Sequence, residues 1–488
     1  MTAFWIIFSI NYLLVFTVIT DMLIRQKKKP ERIYAWMLTL IILPFIGLTI
    51  YTIIGCGIGM RVTKQIKERS LSNKTYDEAL RKQALELLLH ENKDLSKQYG
   101  YVRELALFNL KNTNAIYSFN NNIEILINGP ATFERIKQDL LKAKHHIHVL
   151  YYIFGNDDTG KEFRDILIAK ALEGVKVKVL YDAVGSKTTE LSFFKKLILA
   201  GGEVQQFFPP IYGFKYFNPR LNHRNHRKIV VIDGAIGYTG GINIRDDHMN
   251  KGKKLKPWRD THLRLEGSSV HSLQSTFLSD WCFSSKDKVQ ANHYMTDSYF
   301  PVYSTFNNNF VQIVASGPDS TSDAIKEGMI KMMLSAKKRV RIQTPYFVPD
   351  ETFMNIIKTV ITSGVEVEIM IPSLPDHKYV QNATLCFISD ALKMGAKVYC
   401  YQGFIHAKTI IVDDNIFTVG TCNIDYRSFK LNFEINAFIC GTTKTTEMNN
   451  IFEKDVLNCY VLDKNFMNEF GFFKKLIMSI CRLFSSLL

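Results

Sequence analysis

A three-residue pattern that occurs twice constrains this chain more than any other feature of its sequence. The residues from His226 read HRKIVVID, and those from His406 read HAKTIIVD. Each copy therefore has a histidine, a lysine two residues later and an aspartate at the end of a β-branched run. Because so specific a pattern rarely arises twice by chance, we interpret the chain as an internal duplication whose two copies contribute to one site.

The sequence around the two patterns also repeats. The stretch 143–154 (AKHHIHVLYYIF) is echoed by 336–347 (AKKRVRIQTPYF), and in both halves short β-branched runs alternate with helical stretches. Such alternation is typical of βαβ units and predicts a largely parallel sheet. We therefore predict an α/β fold with two homologous domains, 115–300 and 301–470, whose pattern-bearing strands meet at a pseudo-twofold interface.

The N-terminal residues have the composition of a membrane anchor. Residues 3–24 are almost wholly apolar, a basic loop follows, and residues 33–59 carry no charge. Each apolar segment is long enough to cross a hydrocarbon core of about 30 Å as a helix. A cleaved signal peptide is the alternative for the first segment, but it lacks a basic start and a small-residue cleavage site. We predict two transmembrane helices within 1–59 and a helical linker over 60–114.

The C-terminal segment 471–488 has apolar residues at helical intervals, with Lys474, Lys475 and Arg482 among them. This pattern is typical of an amphipathic helix that lies in an anionic membrane interface. A closing helix packed on the globular domain fits the pattern equally well. The whole chain has 61 Lys and Arg against 46 Asp and Glu, which favours an anionic partner, either nucleic acid or a membrane surface.

The chain has eight cysteines, and none forms a CxxC pair. The spacing therefore indicates neither a zinc cluster nor a disulfide framework, and favours free thiols in a reducing compartment. His145, His146 and His148 could suggest a metal site. Alternation along a strand would divide them between two faces, so we expect solvated surface groups.

The repeated pattern places basic groups on one face of a strand. Side chains alternate along a strand, so a histidine and the lysine two residues later point the same way. Asp233 and Asp413 end the two strands, where a carboxylate ties down a turn more readily than it takes part in chemistry. Asn243 and Asn423 each lie 17 residues after their histidine, which predicts equivalent positions in the two halves.

Two histidines, two lysines and two asparagines together would form a cationic pocket rich in hydrogen-bond donors. Such a pocket suits an anion, above all a phosphoryl group, and Lys228 and Lys408 would repel a metal ion. One imidazole can attack phosphorus while the other protonates the leaving alcohol. Asp260 and Glu434 are the acids that we expect to orient the histidines through the second ring nitrogen.

These residues resemble the phospholipase D superfamily, whose signature is HxKxxxxD followed by GSxN, usually in two copies. Both HxKxxxxD copies are intact, whereas 240–243 reads GGIN and 420–423 reads GTCN. The first departure removes the serine's expected phosphate contact from that half. The chain is similar to the bacterial cardiolipin synthases in these forms, in its N-terminal segments, and in TPYFVPDE and NIDYRSFKLNFE.

The resemblance implies a bacterial membrane enzyme that joins two phosphatidylglycerol molecules into cardiolipin and releases glycerol, with no metal or other cofactor. It implies that His226 attacks the first phosphorus and that His406 protonates glycerol and then deprotonates the incoming hydroxyl. By the same resemblance the lysines and asparagines hold the phosphoryl oxygens, and the two motif aspartates, Asp233 and Asp413, complete the catalytic set. The catalytic part would face the cytoplasm and bind lipids rather than nucleic acid.

Three other functions use the same features. A hydrolytic phospholipase D needs the same site and lets water attack, and a membrane-bound nuclease would cleave a different phosphodiester. Against the nuclease, the basic residues are not interleaved with an aromatic stacking stretch. A non-catalytic membrane scaffold would have no reason to keep both histidines and both lysines.

Overall fold

The computed structural model describes residues 2–25, 30–51, 100–209, 223–252, 254–285, 294, 296, 298–301, 309–320 and 322–485. The chain divides into two compact units. One comprises residues 1–68 with 210–222, and the other comprises residues 69–209 with 223–488. Both copies of the repeated pattern lie in the second unit.

The α-helices among the described residues are, in chain order, α1 (Thr2–Arg25), α2 (Pro30–Ile42), α3 (Pro44–Ile50), α4 (Gly100–Thr113), α5 (Gly129–Lys142), α6 (Asp158–Leu172), α7 (Lys195–Leu199), α8 (Ser269–Ser284), α9 (Ala324–Met333), α10 (Glu351–Thr362), α11 (Lys378–Met394), α12 (Tyr426–Lys430), α13 (Thr442–Val456) and α14 (Phe472–Leu483). The strands are β1 (Tyr117–Ser118), β2 (Asn121–Ile127), β3 (His146–Tyr151), β4 (Lys176–Asp182), β5 (Glu203–Phe207), β6 (Ile229–Ile232), β7 (Ile236–Gly240), β8 (Trp258–Arg259), β9 (Thr261–Gly267), β10 (Phe310–Ser316), β11 (Arg339–Gln343), β12 (Phe347–Val348), β13 (Glu366–Pro372), β14 (Lys397–Tyr401), β15 (Phe404–Ile405), β16 (Thr409–Val412), β17 (Ile416–Gly420), β18 (Ile424–Asp425), β19 (Glu434–Cys440) and β20 (Cys459–Val461).

The N-terminal unit confirms one of the two predicted spans as a candidate. Within α1, Trp5–Ile24 is long and apolar enough to cross a membrane, and it is the only such helix among the described residues. The predicted second span is interrupted, because α2 ends at Ile42 and a new helix begins at Pro44. Proline has no backbone N–H, and its ring clashes with the carbonyl four residues earlier in a continuous helix. Residues 52–59 of that prediction lie outside the described residues.

The second unit contains two sheets with the same topology. The seven-stranded sheet has the order β2-β9-β7-β6-β3-β4-β5, and the nine-stranded sheet has the order β1-β10-β19-β17-β16-β11-β13-β14-β20. Apart from the edge strands β1 and β20, every strand of one sheet has a counterpart in the other. The sheets are packed against helices, and their buried faces form two apolar cores. The duplicated α/β fold predicted from the sequence is confirmed.

The predicted largely parallel sheet is wrong. In the seven-stranded sheet β3, β4 and β5 pair in parallel, and the other four pairings are antiparallel. The second sheet repeats this arrangement. The helical crossovers α6 and α10 produce parallel neighbours, as expected. The pattern-bearing strands β6 and β16 instead continue through a tight turn into β7 and β17, and such a turn makes antiparallel pairs.

The helix expected in the linker belongs to the second half. Asn109 of α4 donates a hydrogen bond to Gln312 Oε1 of β10 over 3.0 Å, and Gln312 Nε2 donates to the carbonyl of Ala106 over 3.1 Å. Strand β1, which follows α4, pairs with β10. Residues 60–99 of the predicted linker lie outside the described residues, and the remaining part packs with β1 on the second half.

The two halves meet through matching elements that neighbour the pattern-bearing strands β6 and β16. Strand β8 of the first half pairs in parallel with β15 of the second, and an equivalent bridge joins Asn225 to Phe433. Strands β7 and β9 of one sheet face β17 and β19 of the other. The interface therefore has the predicted pseudo-twofold character, and each half contributes the same elements to it.

Candidate active site

The two histidines are anchored across the interface by their backbone. His226 N–H donates to the carbonyl of Phe433 over 2.9 Å, and His406 N–H donates to the carbonyl of Arg259 over 2.7 Å. Each histidine lies in an extended segment just before its strand, β6 or β16. The position of each imidazole is therefore fixed by the half of the chain to which it does not belong.

Each histidine side chain is likewise held by a carboxylate from the other half of the chain. His226 Nδ1 lies 2.9 Å from Glu434 Oε2, and His406 Nδ1 lies 2.7 Å from Asp260 Oδ2. Both carboxylates are buried. A carboxylate on Nδ1 holds the proton there, so Nε2 carries the lone pair. No hydrogen bond from the described residues reaches Nε2 of either ring, which leaves this atom available to a substrate.

The two lysines are also buried, and each is tied to its own histidine. Lys228 Nζ donates to the carbonyl of His226 over 2.7 Å, and Lys408 Nζ donates to that of His406 over 2.5 Å. Burial lowers the pKa of Lys228 to about 7, against the opposing charge of Glu434. Burial likewise lowers the pKa of Lys408 to about 8. The pocket therefore concentrates positive charge at a cost in solvation that an anionic ligand would offset.

Burial and the neighbouring lysines also lower the pKa of both histidines, and His406 is affected more strongly than His226. The pKa of Glu434 is lowered although burial raises it, because the charges of His226 and Lys228 outweigh the burial. The free pocket at neutral pH therefore holds neutral imidazoles beside ionised Glu434. A neutral imidazole is the form that can act as a nucleophile or base.

The two asparagines lie buried at the same site but have different surroundings. Asn243 Oδ1 accepts from the backbone N–H of Ile153 over 3.2 Å, and its backbone N–H donates to His248 Nδ1 over 3.3 Å. Asn423 Oδ1 is buried and has no hydrogen-bond partner in the part of the chain that the structure describes. Only the Nδ2 groups of these amides can donate to an oxyanion; that of Asn243 lies 3.3 Å from His248 Nε2, and the Asn423 side chain bonds to Asp425.

The motif aspartates lie away from the imidazoles. Asp233 accepts hydrogen bonds from the backbone N–H groups of residues 144–146, and Asp413 accepts from those of residues 337–339, at 2.8 to 2.9 Å. Both residues have positive φ, 53° and 51°. Each lies beyond a four-residue strand, about 15 Å along the chain from its lysine. These carboxylates hold the turn after the strand, as expected from their place at its end, and a catalytic role for them stays a prediction.

The glycine in GGIN makes room for a carboxylate. A Cβ on Gly241 would lie 2.0 Å from Asp260 Oδ1. In the second half the equivalent Thr421 donates through Oγ1 to Glu434 Oε2 over 2.6 Å. The two halves therefore differ at this position: in the first half Asp260 occupies the space that a side chain would fill, and in the second half a hydroxyl donates to the carboxylate.

His248 belongs to the site and was not predicted. Its ring packs against His406 with centroids 5.2 Å apart, and its Nδ1 lies 3.9 Å from Asp260 Oδ2. It follows Asn243 by five residues, which is the one signal the sequence offers. The equivalent residue of the second half is Ser428, so no repeat pointed to it.

His248, Asp260 and His406 are also the described groups that could bind a metal ion, since their ligand atoms lie within 4.8 Å of one another. Asp260 and His406 already bond to each other, and Lys228 and Lys408 oppose a cation in the same pocket. The donor set therefore fits a histidine-orienting pair better than a metal centre.

Replacing Lys228 with methionine tests how much the burial of this lysine's charge destabilises the folded protein. The folded-state pKa is below that of the unfolded chain, so the unfolded state binds the extra proton and the penalty is fully present below about pH 7. We expect Lys228→Met to raise the melting temperature at pH 6.5 and the gain to shrink as the pH rises from about 7 towards 10.5. Thermal unfolding of the full chain in detergent measures both. Lys358→Met, on the exposed side of α10, should leave the melting temperature unchanged at both ends of this range; a gain for Lys228→Met as large at pH 10 as at pH 6.5 would contradict the prediction.

Restoring a serine at position 241 tests the carboxylate packing. Gly241→Ser forces a side chain against Asp260, and overpacking of this kind costs about 1–3 kcal/mol. We expect a lower melting temperature for Gly241→Ser, whereas Thr421→Ser, which keeps the hydroxyl, should remain close to the parent protein. Equal melting temperatures for Gly241→Ser and the parent would show that Asp260 moves aside without cost.

Comparison with known proteins agrees with this geometry. Residues 136–256 and 329–456 match the family described as cardiolipin synthase, PLD-like domain. The chain is 42% identical over 464 residues to the major cardiolipin synthase ClsA of Bacillus subtilis, covering 92% of this chain and 91% of that protein. It is 39% identical to a cardiolipin synthase of Oceanobacillus iheyensis, with 99% of each chain aligned.

A solved structure with much lower sequence identity also has a similar fold. The crystal structure of a phosphatidylserine synthase from Haemophilus influenzae is similar with a TM-score of 0.60 at 16% identity, covering 79% of this chain and 99% of that one. The duplicated sheets, the crossed histidine–carboxylate pairs and the extent of the sequence matches lead to one assignment. The chain belongs to the cardiolipin synthase family of phospholipase D-like proteins.

Proposed function

We propose that this protein transfers a phosphatidyl group from one phosphatidylglycerol to a second, forming cardiolipin and glycerol through a phosphatidyl-histidine intermediate. The observation that supports the proposal most is the pair of histidines whose Nδ1 atoms are held by carboxylates of the opposite halves. Two orientated imidazoles, each with Nε2 available, supply one nucleophile and one acid–base group. The relatives are named cardiolipin synthases, which supports a phospholipid substrate.

In the first step His226 Nε2 attacks the phosphorus of one lipid. A bond between nitrogen and phosphorus forms, and the bond from phosphorus to the glycerol oxygen breaks. His406 gives its Nε2 proton to that oxygen, so glycerol leaves neutral. Glu434 stabilises the positive charge that His226 gains. The lysines and asparagines hold the phosphoryl oxygens.

Binding of the anionic substrate favours protonation of His406, the proposed acid. The pKa of His406 lies well below its ordinary range in the free pocket, chiefly through burial and then through the two lysines. A phosphodiester anion introduces negative charge into the same low-dielectric space, which raises the pKa of every basic group there. Proton uptake therefore accompanies substrate binding, and a protonated His406 becomes available when the lipid is present.

In the second step the hydroxyl of another phosphatidylglycerol attacks phosphorus. His406 takes the hydroxyl proton, a phosphorus–oxygen bond forms, and the phosphorus–nitrogen bond breaks so that its electron pair returns to His226. The buried carboxylates and lysines leave little room for bulk water near the histidines. Exclusion of water favours transfer to a lipid over hydrolysis.

We place the protein at the bacterial cell membrane, with the catalytic unit on the cytoplasmic face. Helix α1 is the candidate anchor. The seven cysteines of the described residues are all free, as expected for a reducing compartment. A second crossing of the membrane would require α2 and α3 to act together.

The reaction is tested with purified protein in phosphatidylglycerol liposomes that contain a chelator. We expect cardiolipin and free glycerol in equal amounts by mass spectrometry, and neither product with His226→Ala or His406→Ala. Phosphatidic acid as the sole product would replace the transfer with hydrolysis. Loss of activity on chelation would contradict a metal-free site.

Glu434→Gln tests the crossed pairing. The amide keeps the length of the side chain but cannot stabilise a positive imidazole, so we expect the rate of cardiolipin formation to fall between about 100- and 10,000-fold. Asp165→Asn, at an exposed ion pair with Arg164, serves as the control and should leave the rate unchanged. Trapping of the intermediate on His226 should weaken in the Glu434 variant although the mutation lies in the other half of the chain.

A further inference from the structure

Helix α14 exposes the side that carries its large apolar residues and buries the side that carries Met478 and Cys481. Met478 is buried and Cys481 is partly buried against the second-half core, whereas the large apolar residues of the helix are exposed. These are Phe472, Phe473, Leu476, Ile477, Ile480, Leu483 and, just after the helix, Phe484. At 100° per residue they occupy an arc of about 140° on one side of the helix. A helix that merely closed the core would turn this arc inward.

The helix is nonetheless held firmly in place. It packs along α11, where Lys474 Nζ donates to Asn382 Oδ1 over 2.7 Å and Arg482 pairs with Asp390 over 2.7 Å. The guanidinium of Arg482 also lies over the ring of Phe387 at 4.7 Å. These contacts fix the rotation of α14, so the outward direction of the apolar arc is built into the fold.

A cavity lies beside the segment that leads into this helix. It has a volume of about 360 Å³, and Phe470, just before α14, and His377, just before α11, line it. Its lining also includes Phe404, two residues before His406, and Asp376, whose charge acts on the pKa of Lys408. The cavity therefore lies between the segment that leads into α14 and residues next to His406.

We propose that the apolar arc of α14 lies in the interface of an anionic phospholipid bilayer and presents the mouth of this cavity to the lipid surface. A contiguous exposed patch of seven large apolar side chains marks a binding surface. The occupant is a bilayer because the partly exposed Lys475 lies beside the arc and the chain carries a net charge of +15, both of which suit anionic headgroups. The docking surface stands on its own geometry, and only the role of the cavity rests on the proposed function.

The docking surface is tested first without reference to activity. The full chain is reconstituted in phosphatidylglycerol liposomes that contain a phosphatidylglycerol analogue with a diazirine near the end of one acyl chain. After illumination and proteolysis, mass spectrometry should find lipid attached to the peptide that carries residues 472–484 as well as to α1. Labelling of α1 without labelling of α14 would overturn the proposal.

Substitution then tests the consequence for turnover. In the triple variant Phe472→Ser, Phe473→Ser, Leu483→Ser, the replaced residues are 74%, 79% and 77% exposed, so folding should be unaffected. The matched control is Leu172→Ser, Leu199→Ser, Leu457→Ser, at residues that are 72%, 77% and 84% exposed elsewhere on the unit. We expect the α14 variant to lose at least about fivefold in rate on liposomes and nothing on dispersed short-chain phosphatidylglycerol, and the control to lose nothing on either.

The dispersed substrate separates the two proposals. If the parent protein makes no cardiolipin from either substrate, the proposed function fails while the lipid-labelling result still reports on docking. If the α14 variant slows equally on both substrates, the helix supports the site rather than the membrane contact, and the proposal is overturned. Dimers that the triple substitution dissociates would show a second copy of the chain on the arc, which also overturns it.

Discussion

The exchange of contacts between the two halves is the constraint on which the active site depends. Each histidine receives its backbone anchor and its carboxylate from the half to which it does not belong. Neither half alone could therefore hold an orientated imidazole. This explains why the duplicated sheets form one compact unit, and why β8 and β15 pair across the interface although they are too short to stabilise a sheet themselves. The site exists only where the two repeats are correctly paired.

The same exchange makes the concentration of basic groups tolerable. Lys228 and Lys408 are buried within a few residues of the histidines, where desolvation opposes their charge. The negative charges of Glu434 and Asp260 offset part of the free-energy cost of desolvating the lysines. Each carboxylate also limits how far its histidine ring can rotate. The pocket is thus most stable with an anion inside it. Substrate binding and stabilisation of the fold are consequently the same electrostatic event.

The sequence predicted the duplication, and the residues that it marked for a site lie together in the structure, because a spacing shared by two copies restricts both the fold and the positions of these side chains. It did not predict which acid meets which histidine, since Glu434 follows His406 in the chain but bonds to His226. That pairing is decided by the interface between halves, and no local pattern encodes it. His146 and His148, expected at the surface, are buried beside Gln274. Strand periodicity gives the face on which a side chain lies, but not whether a helix covers that face.

The differences between the repeats explain how a symmetric fold can hold two unequal histidines. Around His226, Glu434 is long and is shared with the hydroxyl of Thr421. Around His406, Asp260 is shorter, approaches through the space left by Gly241, and has His248 beside it. A histidine whose neighbours include another imidazole and two lysines resists protonation until an anion arrives. The pKa of His226 is lowered less than that of His406, because Glu434 raises it. A carboxylate bonded to an imidazole also favours the positive charge that a nucleophilic imidazole acquires. Duplication supplied two equal groups, and the substitutions around Nδ1 gave them different surroundings.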